Sequence, residues 1–320
     1  MNNEIQVEAL KVVFPDGKDA SWALYANGRH QVKVELWVRK TMGGRAVALT
    51  DAERSTAAIT AFSDNSEAPL PSGWSCDNKK NDYDAGLWRD REVNAQGYLG
   101  DVKDDVVNLY LRLAEGVAIQ PQRFMGRIRI GGTTYTTNMS GSFLSVITVH
   151  PALPERVYLT NLVHTTANVF IKDAGGMGHP QTAVVKIYFW RLPSGLNIHA
   201  DSVSEREVCP VPGAGTGVRT ICSNGGLFAN GYQCAVLLDV GWKGAVPLKL
   251  LYFGMLAEFA NTVVYLDWLP KQLRAISLRL PFPVSACSKE LRWVLQDNFG
   301  SEHVFYIESE KSGEILKLKN

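Results

Sequence analysis

Part of this chain occurs twice. Leu24-Tyr25-Ala26-Asn27-Gly28 returns as Leu227-Phe228-Ala229-Asn230-Gly231, and each copy runs on into a strand-like stretch, Gln31 to Trp37 in one and Gln233 to Leu238 in the other. Ala52-Glu53 with the apolar run from Ile59 to Phe62 matches Ala257-Glu258 with Val263 to Leu266, and Leu111-Arg112-Leu113 matches Leu278-Arg279-Leu280. The segment from Arg123 to Ile130, then Thr134-Tyr135-Thr136 and Ser140-Gly141, finds its counterpart in Glu290 to Asp297, Val304-Phe305-Tyr306 and Ser312-Gly313. Blocks that match in the same order mark a duplicated module, so the fold must be one that can be built twice.

The repeated blocks read as strands. Val32, Val34 and Leu36 alternate with Lys33 and Glu35, a period of two with one buried face. Met125 to Ile130 alternates around Arg127 and Arg129, then turns at Gly131-Gly132 into Thr133 to Thr137, the pattern of a tight hairpin. Asp297-Asn298-Phe299-Gly300 does the same turning in the second copy, and Thr182 to Trp190 is a further strand that ends at Leu192-Pro193-Ser194-Gly195. Asn27-Gly28 and Asn230-Gly231 suit tight turns ahead of strands, because both residue types tolerate positive φ. Helical periodicity is scarce; Asp51 to Ile59 and Leu256 to Val263 have room for a turn or two. Short strands with regular turn signals predict an all-β sandwich or barrel.

The Ala26-Asn27-Gly28 turn opening into the alternating Val32 and Val34, followed by Gly43-Gly44 and Ala46-Val47, resembles the start of bacterial immunoglobulin-like domains of the invasin and intimin type. That resemblance implies two related immunoglobulin-like β-sandwich modules in tandem. The first, residues 1–200, carries a long insertion at about 65–103 and extra strands. A Gly/Pro-rich linker follows at 201–223, and the second module spans 224–320. The insertion is rich in Asp, Asn, Gly and Pro and reads as a long loop.

Several function classes are disfavoured. Lys and Arg total 33 against 32 Asp and Glu, for a net charge of +1, and no run of like charges offers nucleic acid a basic track. No window reaches the roughly 18 apolar residues of a membrane helix. The first residues lack a cationic-then-apolar leader, so synthesis in the cytoplasm is expected, with any release by a non-classical route. The five cysteines and six histidines fall at spacings that match neither a disulfide framework nor a closed metal site. Gly213 to Gly217 lacks the lysine of a phosphate loop and the helix behind a dinucleotide loop, so it reads as linker. Asp77, Asp82, Asp84 and Asp90 include a fragment of a calcium loop without its closing Glu, and serve better as turn residues. His199, Asp201 and Ser202 supply triad residue types, but adjacent in sequence they cannot form the relay. No catalytic residue, metal or cofactor is therefore expected.

Aromatics in the polar insertion stand out. Trp74, Tyr83, Trp88 and Tyr98 supply rigid apolar area suited to a glycan or protein surface, with packing of the loop onto the sandwich as the competing role for the two tryptophans. The expected function is non-catalytic recognition or assembly: a bacterial or phage-associated protein that binds a cell surface, a glycan or a protein partner. The alternatives are a leaderless secreted toxin of pore-forming or insecticidal type, and a β-sandwich glycoside-acting enzyme, for which no carboxylate pair stands out. Oligomeric state has no signature in the sequence.

Overall fold

The computed structural model describes residues 5–15, 22–88, 104–139, 143–173, 182–203, 209–210, 218–224, 233–238, 245–247, 263–265, 272–279, 290–310 and 315–320. The fold is all-β, with helix limited to α1 (Asp51–Arg54) and a 3-10 turn at Leu159–Asn161 among those residues. Two compact units divide the chain: Met1–Glu155 together with Phe299–Ser301, and Arg156–Asn298 together with Glu302–Asn320. Among the described residues no helix is long and apolar enough to cross a membrane.

The first unit is a pair of facing sheets. One runs in the order β1 (Ile5–Val13), β3 (Val32–Met42), β7 (Asp105–Leu113), β6 (Trp74–Asp77), with β4 (Arg45–Ala46) folded back on β3. The other runs β2 (Trp22–Tyr25), β10 (Ile147–Ala152), β8 (Gln122–Ile130), β5 (Ala58–Ala61), with β9 (Thr133–Thr136) on β8. All pairings are antiparallel except β2 with β10. The alternation of β3 decides its faces: Val32, Val34, Leu36 and Val38 enter a core shared with Leu10, Val12, Leu111, Leu113, Phe124 and Ile128. Each such side chain contributes about 1.5–3 kcal/mol when fully buried. Lys33 and Glu35 face outward and pair at 2.7 Å. The sheets approach so closely at Gly126 that a Cβ there would lie 2.4 Å from Leu36 Cδ1, which explains a glycine in mid-strand.

Turn chemistry follows the sequence. Gly131 and Gly132 adopt φ of 59° and 84° and leave Ile130 opposite Thr133. Asn27 Oδ1 accepts the N–H groups of Arg29 at 3.0 Å and His30 at 2.8 Å, while Gly28 takes φ 74°. This side-chain-to-backbone turn sets the start of β3.

The second unit has a six-stranded sheet in the order β11 (Val163–Asp173), β12 (Thr182–Arg191), β19 (Leu273–Arg279), β16 (Gln233–Leu238), β15 (Val218–Asn224), β14 (Cys209–Pro210). A four-stranded sheet follows the order β13 (Ile198–Val203), β20 (Glu290–Asp297), β21 (Glu302–Glu310), β22 (Ile315–Lys319), and β17 (Ala245–Pro247) pairs with β18 (Val263–Tyr265). Trp293, Phe305, Leu291 and Ile307 are fully buried between neighbouring elements.

One sequence-matched pair keeps its register and another does not. Val32 stands opposite Leu111 on β3 and β7, and their counterparts Cys234 and Leu278 stand opposite each other on β16 and β19. Hairpins β8–β9 and β20–β21 differ: Ile128 stands opposite Tyr135, whereas their counterparts Leu295 and Phe305 face His303 and Trp293. The surroundings diverge: β5 pairs with β8, but β18 pairs with β17. Outside β7 lies β6, from the insertion, whereas outside β19 lies β12, from the chain before the second copy.

Three expectations change. The stretch 201–223 is not a plain linker, because Asp201 to Val203 complete β13 while Cys209–Pro210 and Val218–Asn224 form β14 and β15. The units meet at Glu155 and Arg156 rather than beyond residue 200, because β11 and β12 join the sheet of β19 and β13 pairs with β20. Residues 65–103 are not loop throughout, since Trp74–Asp77 adds a strand to β7. Gly213 to Gly217, Leu227 to Gly231 and most of Leu256 to Val263 lie outside the described residues.

Candidate functional site

A groove of about 740 Å³ opens in the first unit where β6 stops short. β6 pairs with β7 from Trp74 opposite Leu113 to Asp77 opposite Tyr110 and then leaves the sheet. The departing loop is braced by polar side chains. Gln31 Nε2 donates to Asp77 Oδ2 at 2.8 Å, and Gln31 Oε1 accepts the Asn81 N–H at 2.8 Å. Asn81 Nδ2 donates to the Arg29 carbonyl at 2.6 Å. Arg112 Nε donates to Asp77 Oδ2 at 2.8 Å, and its Nη1 donates to the Gly28 carbonyl at 3.2 Å. Charged and amide groups thus cross-brace β3, β6 and β7, and a groove held this way is largely formed before any ligand arrives.

The opposite wall is small: Ser55, Ala57 and Ala58, with Leu109 and Cys76 nearby. Burial pushes the Cys76 thiol up, the Asp77 charge adds to this, and contacts with the Ile59 and Tyr110 backbone only partly oppose it. A thiol held protonated is a poor nucleophile.

Charge in the groove is one-sided. Its lining carries Arg29, Lys79, Lys80 and Arg112 against the single carboxylate of Asp77, which Arg112 already engages. Lys79 and Lys80 are exposed and form no ion pair among the described residues. Of the neighbouring acids, Asp105 accepts the Leu49 N–H at 2.7 Å and pairs with Arg54, and Glu53 pairs with Lys40 at 2.8 Å, while Asp82 and Asp84 stand exposed in the loop that carries the two lysines. The two lysines leave the lining itself more basic than acidic, a setting that suits an anionic group.

The aromatic candidates separate. Tyr83 lines the groove. Trp74 is half-buried, packs on the core and sits edge-on to Phe124 with centroids 4.7 Å apart, so it anchors β6. Trp88 is half-buried, and its backbone N–H donates to Tyr25 Oη at 3.1 Å. Tyr98 lies outside the described residues. Elsewhere, Asp201 accepts from Trp293 Nε1 at 3.3 Å, which ties it to strand packing. His303 and Asp297 form a 2.9 Å pair that is almost wholly buried and closed to substrate. No group of three or more His, Cys, Asp or Glu among the described residues is placed to hold a metal ion.

Sequence reasoning missed Arg29, Gln31, Lys79, Lys80, Asn81 and Arg112. The adjacent lysines inside an Asn-rich loop were a visible signal. The arginines were not, because only the β3–β7 pairing brings them beside that loop.

No family model matches the chain, and no curated protein matches it. Solved structures that align with it include a Porphyromonas gingivalis W83 protein of unknown function, at 10% identity and TM-score 0.21, covering 94% of this chain and 98% of that one. The C-terminal domain of the Streptococcus pyogenes antigen I/II-family protein AspA aligns at 9% identity and TM-score 0.23, covering 95% and 98%. The collagen binding domain of the Erysipelothrix rhusiopathiae surface protein RspB aligns at 8% identity and TM-score 0.14, covering 99% and 94%. TM-scores this low establish neither a shared fold nor a shared function.

Proposed function

We propose that this chain is a non-catalytic recognition or assembly protein, and that the groove beside β6 is where its first unit receives a partner. One observation carries the reading: two exposed lysines with no ion-pair partner among the described residues stand at a groove that Gln31, Asp77, Asn81 and Arg112 brace by hydrogen bonds. A preformed frame lowers the ordering cost of binding, and the surplus charge selects an anionic surface, whether acidic peptide or sulfated or uronate glycan. The groove lining holds neither a pair of carboxylates nor a nucleophile beside a base, which favours binding over turnover.

The test uses the full chain, immobilised, against arrays of acidic and neutral peptides and of sulfated, uronate and neutral glycans. Anionic probes are expected to bind, and the Lys79→Glu/Lys80→Glu variant to lose at least tenfold in affinity with an unchanged melting temperature. Equal binding by that variant, or binding confined to neutral probes, removes the groove from the reading.

A further inference from the structure

We infer that the groove takes an acidic peptide in extended form, added as a strand on the open edge of β7 along the track that β6 abandons. This rests on the recognition role proposed above and narrows it to one ligand class. The edge follows from register. Leu113 O accepts the Gly28 N–H at 2.8 Å on the β3 side, and the Ala114 N–H donates to Gly73 O at 2.9 Å on the β6 side. Main-chain groups of successive residues in an antiparallel strand face alternate sides. Arg112, Tyr110, Asn108 and Val106 therefore turn their N–H and C=O groups towards the β6 side. β6 meets the first two of these and ends at Asp77 opposite Tyr110. Asn108 and Val106 face a flank where no described strand lies, and Arg54 Nη1 donates to the Val106 carbonyl there at 3.4 Å.

The stretch Asp105–Leu109, roughly 15 Å long at about 3.4 Å per residue, thus has no strand partner on this side among the described residues, with Leu49 and Arg54 meeting only its Asp105–Val106 end. An open edge of this kind is a template for strand addition, with backbone hydrogen bonds giving affinity and alternate side chains giving specificity. The side chains around it set the occupant's pattern. The groove lining next to it holds Ser55, Ala57, Ala58, Cys76 and Leu109, which suit small apolar residues. The same lining carries the exposed Lys79 and Lys80, which call for Asp or Glu. The preferred occupant alternates small apolar and acidic residues. A sulfated glycan would engage the lysines but has no use for the amides of Asn108 and Val106, and that difference separates the two ligand classes.

The experiment uses the full chain and five probes: a synthetic nonapeptide alternating Val with Asp or Glu, the same peptide with Lys for the acids, two forms of the acidic peptide N-methylated on alternate residues in one register or the other, and a sulfated oligosaccharide. Affinity is read by fluorescence anisotropy, and amide hydrogen exchange is read over residues 105–109. The acidic peptide is expected to bind. The Lys peptide and one of the two N-methylated forms are each expected to bind at least tenfold more weakly, and exchange at 105–109 to slow at least tenfold at saturation. Equal affinity for both N-methylated forms and the parent, or unchanged exchange at 105–109, overturns strand addition. Binding of the sulfated oligosaccharide alone, dependent on Lys79 and Lys80, overturns it while leaving groove recognition standing. Binding by no probe overturns both.

Discussion

Glu53 closes a small circuit at the start of α1. Its Oε2 accepts the Thr50 N–H at 2.8 Å, its own N–H donates to Thr50 Oγ1 at 3.2 Å, and Lys40 Nζ reaches both carboxylate oxygens at 2.9 and 2.8 Å. Burial alone would raise this carboxyl's pKa, but the hydrogen bonds from Lys40 and Thr50 outweigh it and hold it below the ordinary value. A carboxyl lowered by folding stabilises the protein above its unfolded pKa, about 4.3, and that contribution fades as pH falls through the lower folded value. Glu53→Gln is therefore expected to reduce stability at pH 7 by about 1–3 kcal/mol. The gap to the parent should close on acidification below about pH 4, which urea unfolding at several pH values will read. At Trp74 the expectation is about 3 kcal/mol lost on replacement by Ala, with probe binding in the groove retained, because the ring packs on Phe124 rather than facing ligand. A Trp74→Ala protein that keeps its urea midpoint but loses binding would return this ring to the contact surface.

At the scale of elements, legibility tracked local pattern. β3 and β8 were readable because their apolar residues alternate, β9 because Gly131-Gly132 turns the chain back from β8, and β12 because a β-rich apolar run is closed by Pro193 and Gly195. β6 was not, although Trp74 and Cys76 alternate with Ser75 and Asp77, because four residues in an Asp- and Gly-rich setting carry too little period to stand out. β15 was hidden in the same way behind the glycines of 213–217. Tyr83 could be singled out as an aromatic in a polar loop, yet the cations it joins come from β3 and β7, and only pairing assembles them. The close approach of β8 to the facing sheet makes its own demand. Gly126→Ala is expected to cost about 1–3 kcal/mol, since the added methyl meets Leu36 Cδ1, Thr137 Cγ2 and Val12 Cβ together. Denaturant unfolding of the single variant checks this, and a compensating Leu36→Ala should recover less than the whole, because the cavity has its own cost.

For the whole molecule, the all-β class was visible in the sequence, but the division at Glu155 and Arg156 was not. β11, β12 and β13 precede the second copy and take their places by pairing with β19 and β20, a long-range choice that leaves no mark in the local sequence. The near-zero net charge bears on a separate matter, the behaviour of many copies in solution. With little overall repulsion to keep molecules apart, any exposed strand edge has to be guarded where it lies. At β1 the guard is geometric: the register slips between Val7 and Ala9, and Glu8 and Lys11 stand exposed beside the irregularity. Along the open part of β7 that duty falls to Lys79 and Lys80, which repel the same lysines on a second copy. Lys79→Ser/Lys80→Ser is accordingly expected to sediment as larger species than the parent at matched concentration, and to precipitate sooner on storage. The two lysines thus act as sentries against self-templating: they keep the chain from building sheets out of itself.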